Sequence, residues 1–490
     1  MIDFSLLPSL LLYNPEERLL FNSGFFLYFL FLFFVGYFIL KNKTKSRIVF
    51  VSIFSLYFFY KACGWYVGLV ILAAIVDFNL SLFIFKSKNT IKRKSLLIFS
   101  LILNLGLLSY FKYTDFFISI INDFRTNQIK PLQLILPVGI SFYTFENISY
   151  TIDVYRRSCK PIKYFIDYLY FLSFFPKLMM GPIVRAADFI PQIRKSVSLS
   201  REDVSKGFFL IMNGCIKKVV FSDYLSTHLV NNVFDNPMRY SGVECLIAVY
   251  GYALVIYCDF SGYSDMAIGI AKWMGIDLNV NFLTPYQSRS ITEFWRRWHI
   301  SLSSWLRDYV YISLGGNRKR TIRTYFNLFI TMVIGGFWHG ASWNFIFWGV
   351  CHGLILAFEK FINLKSKRTV KSPSVVLGFL QTFVTFHIVC ALWIFFKSES
   401  FSTAGEMIYQ ITHSIKLLDF PSFILQYRNS IGLILAGLAI HFSPNSWNDS
   451  AIEFISKIHW IGKTIAFTMV LALLFYFNSS EQILPIYLQF

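Results

Sequence analysis

The sequence predicts an all-α protein that crosses a membrane many times. Of its 490 residues, 55% are hydrophobic and only 15% are charged, and the mean hydropathy is +0.53. Soluble globular proteins carry about 25% charged residues, so this composition excludes a soluble fold. The apolar residues form many separate runs of about 17–25, the length that an α-helix needs to cross the hydrocarbon core. Continuous runs also exclude a β-barrel, whose strands alternate apolar and polar residues.

The net charge of +19 is explained by membrane topology and not by nucleic-acid binding. The basic residues are divided among short loops between apolar runs, chiefly 41–47, 86–94 and 156–163. This distribution is typical of the positive-inside rule, which places these loops in the cytoplasm and the N-terminus outside. The sequence contains no separate basic domain of the kind that binds nucleic acid. Its seven cysteines lack C-x-x-C spacing, which predicts buried apolar side chains and neither disulfides nor a metal site.

The hydrophobic runs indicate one integral-membrane domain over residues 19–490, with 11–13 hydrophobic segments, some short enough to be re-entrant. Residues 1–18 lack the features of a secretory signal and are expected to be an N-terminal extension. We expect a catalytic core at about 132–362 and an extracytoplasmic loop with a small docking surface at about 397–429. The candidate segments are 19–40, the hairpin 48–60 and 65–85, 96–113, 132–152, 164–180, 207–221, 243–258, 325–338, 345–362, 375–396, 430–442 and 461–477.

The segment 281–323 departs from this pattern, because it combines many charges with Trp and Tyr. We expect it to lie at the membrane interface or to insert partway into a cavity lined by protein. On a single helix Trp295, Trp298 and Trp305 would share one face, which predicts an amphipathic helix at the membrane interface. His299 lies on this segment beside two arginines and is expected to stay neutral, as a polar positioning group should. The alternative is a surface helix whose arginines only extend towards water.

His339 is the leading candidate for catalysis. It follows an apolar run and lies within the glycine-rich stretch 335–343 (GGFWHGASW). Glycines allow a backbone or a substrate to approach closely, and an imidazole can take a proton from a hydroxyl near neutral pH. The alternative is a packing histidine that forms a hydrogen bond with a neighbouring helix.

Asp259 and Asp265 form a second, weaker candidate site at the end of an apolar run. Their stretch is equally consistent with a helix break capped by Asp and Ser side chains. His352, His387 and His441 lack a glycine-rich setting and are interpreted as packing residues. The motifs of serine hydrolases, ATP-driven pumps, zinc proteases and dinucleotide-binding enzymes are missing from the sequence.

Several motifs resemble those of the membrane-bound O-acyltransferase family, in particular its bacterial branch related to alginate O-acetyltransferases. The resemblance extends from about residue 20 to the C-terminal tail. The matching motifs are 137–145 (PVGISFYTF), 180–185 (MGPIVR), 259–269 (DFSGYSDMAIG), 281–282 (NF), 285–286 (PY), 289–299 (RSITEFWRRWH), 314–318 (LGGNR) and 337–341 (FWHGA).

The resemblance implies a helical bundle around a central tunnel, through which an acyl group passes from a cytoplasmic donor to an extracytoplasmic acceptor. It places His339 at the catalytic histidine of the family and His299 at the second polar position of the active site. The family also implies a small external partner, a serine-esterase-like protein of the SGNH type, that completes transfer to the sugar.

On this basis the sequence predicts an O-acetyltransferase of a bacterial cell membrane that uses acetyl-CoA and acts on a cell-surface or extracellular polysaccharide. His339 would act as general base and His299 would hold the acyl carbonyl or thioester. The other residues expected to bind substrate are Arg296 and Arg297 at the donor's phosphates, Trp295, Trp298 and Trp338 along the tunnel, and Asp259 and Asp265. The prediction includes membrane lipids as surroundings but no metal, redox cofactor or nucleic acid.

Two alternatives remain open from the sequence. The D-alanyl transferases that modify teichoic acids share related motifs, although 314–318 and the terminal 486–490 are more similar to the acetyl branch. A non-enzymatic glycan or lipid transporter is the other alternative. The sequence argues against it, because internal repeats and paired charges within several spans are missing.

Overall fold

The computed structural model describes residues 11–15, 18–21, 23–318, 320–365, 374–415, 420–444, 446–477 and 484–486. All regular secondary structure in these residues is helical, which confirms the all-α prediction. The chain divides into two compact units. Of the described residues, the first unit comprises those up to 211 and those from 263 to 279, and the second comprises those from 212 to 262 and those from 280 onwards. The predicted extension at 1–18 lies largely outside the described residues.

Six of the described helical stretches are long and apolar enough to cross a membrane, and a pair bent by 83° at Tyr427 would make a seventh. The chain is therefore a multi-pass membrane protein. The remaining predicted segments fall on helices that are shorter, broken or less apolar. The six stretches are Thr44–Lys86, Thr90–Lys112, Gly242–Trp273, Trp343–Ile362, Val375–Lys397 and Trp460–Phe477.

The first unit is a set of helices around a polar interior. Where the sequence predicts a hairpin, two helices are joined by the 3-10 turn Gly64–Tyr66, and Gly64 has a φ of 64° that favours glycine. The helices of this unit are α1 (Gly24–Ile39), α2 (Thr44–Cys63), α3 (Val67–Lys86), α4 (Thr90–Lys112), α5 (Thr114–Asn122), α6 (Ile140–Arg156), α7 (Phe165–Ser173), α8 (Phe175–Leu178) and α9 (Ala186–Ile193).

The predicted segment 132–152 is wrong at its start, because helix α6 begins only at Ile140. Pro131 and Pro137 lack the backbone N–H that a helix requires, and Gly139 has a φ of 71°. The segment 164–180 is likewise divided into α7 and α8, each too short to span.

Inside this unit, polar side chains from neighbouring helices satisfy one another. Asp77 accepts hydrogen bonds from Ser100 at 2.5 Å and from Asn104 at 2.7 Å. Asn147 donates to Asn104 and accepts from Tyr168. Buried polar groups need such partners where water is excluded, so the network fixes how α3, α4, α6 and α7 pack.

Two helices belong to both units. Helix α10 (Arg201–Ile216) begins in the first unit and ends in the second, whereas α12 (Gly242–Trp273) begins in the second and ends in the first. After α10 the chain continues through π-helical turns at Lys217–Asp223 and Ser226–Val230.

The second unit contains the remaining helices and the 3-10 turns Pro237–Arg239 and Pro285–Gln287. The region predicted as a loop at 397–429 is mostly helical, although residues 416–419 lie outside the described part. The helices are α11 (Asn231–Asp235), α13 (Ile291–Arg297), α14 (Ile300–Trp305), α15 (Thr321–His339), α16 (Trp343–Lys365), α17 (Val375–Lys397), α18 (Phe401–His413), α19 (Phe420–Gln426), α20 (Arg428–Phe442), α21 (Ser446–Lys457) and α22 (Trp460–Phe477).

A buried ion cluster links α12 to the π-helical turns. The Lys218 ammonium contacts Asp259 at 2.5 Å and Asp223 at 2.7 Å, and all three side chains are almost fully buried. Asp259 also accepts a hydrogen bond from the backbone N–H of Ile486. Lys218 therefore compensates two carboxylates that water does not reach.

We expect Lys218→Met to destabilise the protein by about 3–5 kcal/mol, because it leaves buried carboxylates without their cation. The measurement is the thermal unfolding midpoint of the purified protein in detergent. Lys457→Met is the matched control, since the Lys457–Glu453 pair is exposed and contributes little. Equal midpoints for both variants would contradict this assignment.

Candidate active site

The aromatic segment after α12 is folded inward and does not form the single amphipathic helix that the sequence predicted. That prediction is wrong because the helix ends at Arg297 and restarts at Ile300. At the break His299 has a φ of 41° and a ψ of 55°, in the left-handed region. Trp298 and Trp305 are buried, so their side chains pack inside the second unit.

Helix α13 is held at its N-terminus by two carboxylates and a hydroxyl. Glu359 accepts hydrogen bonds from the backbone N–H groups of Ile291 and Thr292 at 2.7 and 2.9 Å. Ser290 caps the backbone N–H of Glu293, whose carboxylate accepts from the backbone of Arg289. Negative charge at a helix N-terminus is stabilising, so α16 and the local capping fix the position of α13.

The 3-10 turn that precedes α13 is anchored to three other helices. The Tyr286 hydroxyl donates to the Ala253 carbonyl of α12 at 2.6 Å and accepts from the Trp393 indole of α17. The Tyr286 backbone donates to His441 of α20 at 3.1 Å. His441 thus has a structural role, in agreement with its interpretation as a packing residue.

His299 is fully buried and fixed by Asn281. The Asn281 side-chain oxygen accepts from the backbone N–H of Ser301 at 3.0 Å and lies 3.2 Å from His299 Nδ1. A backbone N–H can only donate, so this amide atom must be oxygen and His299 Nδ1 must carry the proton. Phe260 and Phe282 pack on the ring, at centroid distances of 4.5 and 6.4 Å.

The environment of His299 also determines its charge. Burial lowers the pKa of His299 well below its ordinary value, because a charged ring would lose its hydration. The lowered pKa agrees with the neutral state predicted for His299, and its cause is the loss of hydration on burial. In a neutral ring with the proton on Nδ1, Nε2 carries a lone pair and accepts hydrogen bonds.

His339 is the last residue of α15 and lies in an aromatic pocket. Its ring is 5.1 Å from both Trp338 and Trp348 and 5.2 Å from Phe396. Only 2% of the residue is exposed. Little water therefore competes for hydrogen bonds to this ring.

Glycines bring α15 and α16 close enough to form this pocket. A Cβ on Gly336 would lie 2.3 Å from the Phe345 carbonyl oxygen and 3.0 Å from the Gly349 backbone. A Cβ on Gly340 would lie 2.2 Å from the Phe345 ring. The glycines that the sequence analysis noted around His339 therefore allow a backbone-to-backbone contact, and this contact places Trp348 beside the histidine.

The structure brings the two candidate histidines to one indole ring. Trp338 lies 5.1 Å from His339 and 6.0 Å from His299, measured between ring centroids. Trp295 and Trp298 are also buried in this cluster, Trp295 against Trp348 at 5.6 Å. Five of the predicted site residues therefore share one aromatic cluster: His299, His339, Trp295, Trp298 and Trp338.

Trp348, Trp393 and Phe396 also belong to this site, although they were not among the residues predicted from the sequence. Trp348 contacts His339, His352 and Trp393. The spacing of Trp348 and His352 at i and i+4 on α16 places them on one face, a signal available from the sequence. His352 accepts a hydrogen bond from the Trp295 indole at 3.3 Å, which fits its interpretation as a packing residue.

The four charged residues predicted to bind substrate lie elsewhere. Arg297 pairs with Glu293 at 2.6 Å, and Arg296 is exposed. Asp259 belongs to the buried Lys218 cluster. Asp265 lies on the part of α12 that belongs to the first unit, whereas both histidines belong to the second. None of the described residues form a group of three or more His, Cys, Asp or Glu side chains suited to a metal ion.

Comparisons with known proteins connect this site to a family. The model of the membrane-bound O-acyltransferase family matches residues 162–397, which include both histidines. The chain is 31% identical to the peptidoglycan O-acetyltransferase of Helicobacter pylori, over 95% of this chain and 96% of that protein. It is 38% identical to the probable alginate O-acetylase AlgI of Pseudomonas aeruginosa, over 79% and 74% of the two chains.

A more distant similarity connects the chain to the alternative considered from the sequence. It is 30% identical to the teichoic acid D-alanyltransferase of Bacillus subtilis, over 55% of this chain and 71% of that protein. The acetyl-transferring relatives thus match a larger part of the chain.

The helix contact at Gly336 gives a test of the pocket. We expect Gly336→Ala to destabilise the protein by about 1–3 kcal/mol, because the new methyl group would overlap backbone atoms of α16. Gly335→Ala is the control, since its methyl group would meet only the flexible Leu306 side chain at 3.1 Å. Thermal unfolding of both variants in detergent measures the difference, and equal stability would show that the contact tolerates a side chain.

Proposed function

This chain is a member of the membrane-bound O-acyltransferase family, and from that premise we propose that it transfers acetyl groups from acetyl-CoA to hydroxyls of a cell-surface polysaccharide. As a member of this family it is an acyltransferase and a multi-pass membrane protein. Acetyl as the acyl group is supported by the relatives that are named O-acetyltransferase or O-acetylase. Acetyl-CoA as donor and passage of the acetyl group across a bacterial cell membrane belong to the proposal.

The observation that carries the proposal is the position of His339 in its aromatic pocket, next to the indole that also contacts His299. In the proposed reaction, an imidazole nitrogen of His339 takes the proton of the accepting hydroxyl. The hydroxyl oxygen forms a bond to the thioester carbonyl carbon, and the carbon–sulfur bond breaks. The proton then passes from His339 to the leaving thiolate, so the ring returns to its neutral form.

The hydrogen bond to Asn281 refines the role of His299. From the sequence, His299 was expected to hold the acyl carbonyl or thioester, and holding a carbonyl oxygen requires a hydrogen-bond donor. In the tautomer set by Asn281, Nε2 is an acceptor. We therefore propose that His299 holds a donor group of a substrate, such as an amide N–H of the pantetheine arm or the accepting hydroxyl.

The other substrate contacts follow from exposure and pairing. Arg296 is the better candidate for the donor's phosphates, because Arg297 already pairs with Glu293 and a free guanidinium binds phosphate more readily. The acceptor is either the polysaccharide itself or the serine of an external esterase-like partner.

Similarity to a D-alanyltransferase keeps D-alanyl transfer to teichoic acid as a second candidate. Membership of an acyltransferase family disfavours the transporter alternative.

We expect His339→Ala to lower the rate of acetyl transfer by about 10²–10⁴-fold, the usual contribution of a general base. The measurement is the ester-linked acetate of the host's surface glycans in a deletion strain that carries the variant. His387→Ala is the matched control, because His387 forms hydrogen bonds with Tyr250 and Phe383, away from the aromatic pocket.

The same strains separate the two candidate functions. Equal acetate in the His339→Ala and wild-type strains at matched membrane abundance would refute the base role. Normal acetate in the deletion strain itself would refute acetyl transfer, and D-alanyl esters on teichoic acid would then be measured.

We expect Asn281→Asp to move the acidic limit of activity to higher pH, by about one pH unit or more. The new carboxylate still accepts both hydrogen bonds, but its charge raises the pKa of His299. Protonation then begins at a higher pH and removes the acceptor at Nε2. The measurement is the pH dependence of acetyl transfer by purified protein in liposomes. Asn281→Leu, which removes both hydrogen bonds without adding charge, should lower the rate without that shift, and coincident profiles for Asn281→Asp and wild type would contradict this role.

A further inference from the structure

A second cavity of about 430 Å³ lies in the second unit and shares no residue with the aromatic pocket around His339. It opens where the turn Pro237–Arg239 and the start of α12 meet α18 and α19. Its volume falls within the ~300–1,000 Å³ of typical small-molecule sites. Polar side chains dominate its lining, among them Arg239, Ser241, Glu244, Gln410, Gln426 and Tyr427.

Ser241 supplies the first unusual feature of this cavity. Ser241 and Glu244 have the spacing of a capping box, and the Glu244 carboxylate accepts the Ser241 backbone N–H at 2.6 Å. In a complete box the serine hydroxyl would accept the Glu244 backbone N–H in return. Here the Ser241 hydroxyl oxygen has no hydrogen-bond partner among the described residues, although only 6% of the residue is exposed.

Gln410 supplies the second unusual feature of this cavity. Its side-chain nitrogen contacts the Met238 sulfur at 3.2 Å, which is a weak acceptor. Its side-chain oxygen has no hydrogen-bond partner within the described part of the chain, and only 5% of the residue is exposed. Buried polar atoms are normally satisfied, so two unsatisfied atoms in the wall of one cavity indicate a ligand that completes them.

The walls that carry these two atoms are fixed against each other. The Gly242 backbone N–H donates to the Ser414 carbonyl at 2.7 Å. A Cβ on Gly242 would lie 2.3 Å from the Gln410 carbonyl oxygen, so only glycine allows this approach of α12 and α18. The cavity is therefore preformed, which reduces the entropic cost of binding.

The lining matches a ligand rich in hydroxyl groups. A hydroxyl group can both donate and accept a hydrogen bond. It can donate to the Gln410 amide oxygen and the Glu244 carboxylate, and it can do either with the Ser241 hydroxyl. The Tyr240 and Tyr427 hydroxyls lie 3.4 Å apart, and the Phe423 and Tyr427 rings pack tilted at a centroid distance of 4.6 Å. All three residues line the cavity, so aromatic groups stand beside the place of a sugar ring. An acyl chain would leave these polar atoms unsatisfied.

We infer that this cavity binds a saccharide unit of the acceptor polysaccharide. This inference rests on the proposed function, because a polysaccharide acceptor is part of that proposal. It agrees with the predicted position of 397–429 outside the cell, where such a polymer is found. The site recognises the polymer through its hydroxyl groups and carries no reacting atom.

The test is direct binding of short saccharides to the full-length protein in detergent. Oligomannuronate and chitooligosaccharide are the probes, because they represent an acidic and a neutral polymer. We expect Ser241→Ala and Gln410→Leu each to weaken binding by about 3- to 10-fold, the effect of one lost hydrogen bond. Thr412→Ala, an exposed change on α18, is the control and should bind as wild type.

Thermal stability separates binding from a structural role. Neither the Ser241 hydroxyl nor the Gln410 oxygen forms an intramolecular hydrogen bond in the described chain, and the Gln410 nitrogen forms only a weak one with the Met238 sulfur. Both variants should therefore unfold close to the wild-type midpoint or above it. Loss of stability together with loss of binding would overturn the inference.

The outcomes also distinguish this inference from the proposed function. Unchanged saccharide binding in both variants, with acetylation still dependent on His339, refutes the cavity alone. Saccharide binding that depends on Gln410, in a protein that transfers no acetyl group, refutes the proposed function alone. If the two variants bind saccharides normally but no longer bind an external protein partner, the cavity is the binding site of that partner and the inference is overturned.

Discussion

The close contact between α15 and α16 is the constraint on which the rest of the site depends. Gly336 and Gly349 allow the two helix backbones to touch, and a side chain at either position would overlap the opposite backbone. Within a membrane, small residues are a main route to such close helix packing. Because α15 ends at His339, this contact determines that the histidine faces Trp348 and Phe396. The catalytic candidate is thus positioned by the packing of two helix backbones.

His299 is positioned by a side-chain hydrogen bond and not by close packing of helix backbones. It sits at a helix break with left-handed backbone angles, which costs free energy for a residue with a side chain. The Asn281 side chain holds this break by accepting from both the His299 ring and the Ser301 backbone. The strain is maintained because Glu359 and the turn at Tyr286 fix the preceding helix from outside. A polar acceptor is thereby kept neutral and aimed within an otherwise aromatic cluster.

The sequence predicted what depends on local composition. Apolar length indicated the long helices, and the glycines around His339 indicated a close approach of the backbone there. Prediction from the sequence failed where contacts between distant parts of the chain determine the structure. The three-tryptophan face suggested one helix through 295–305, but the packing of Asn281 against His299 interrupts it. The i, i+4 spacing of Trp348 and His352 shows that they share a face of α16, but only the packing of α16 and α17 brings Trp348 and Phe396 to His339. Asp259 looked like a substrate ligand, yet its partner Lys218 is 41 residues away.

Helix α12 sets the distance between the two sites proposed for this protein. Ser241 and Gly242 at its start border the polar cavity, and Phe260 on the same helix packs against His299. Eighteen residues separate Gly242 from Phe260, which at ~1.5 Å per residue corresponds to about 27 Å. A single sugar cannot occupy the cavity and reach His339 at once. A bound saccharide unit would therefore retain a long polymer while another hydroxyl, on a remote sugar or on a partner's serine, accepts the acyl group. Such an arrangement selects for polymers. A short sugar that reacts near His339 cannot also bind in the cavity, so binding there does not strengthen its interaction with the protein.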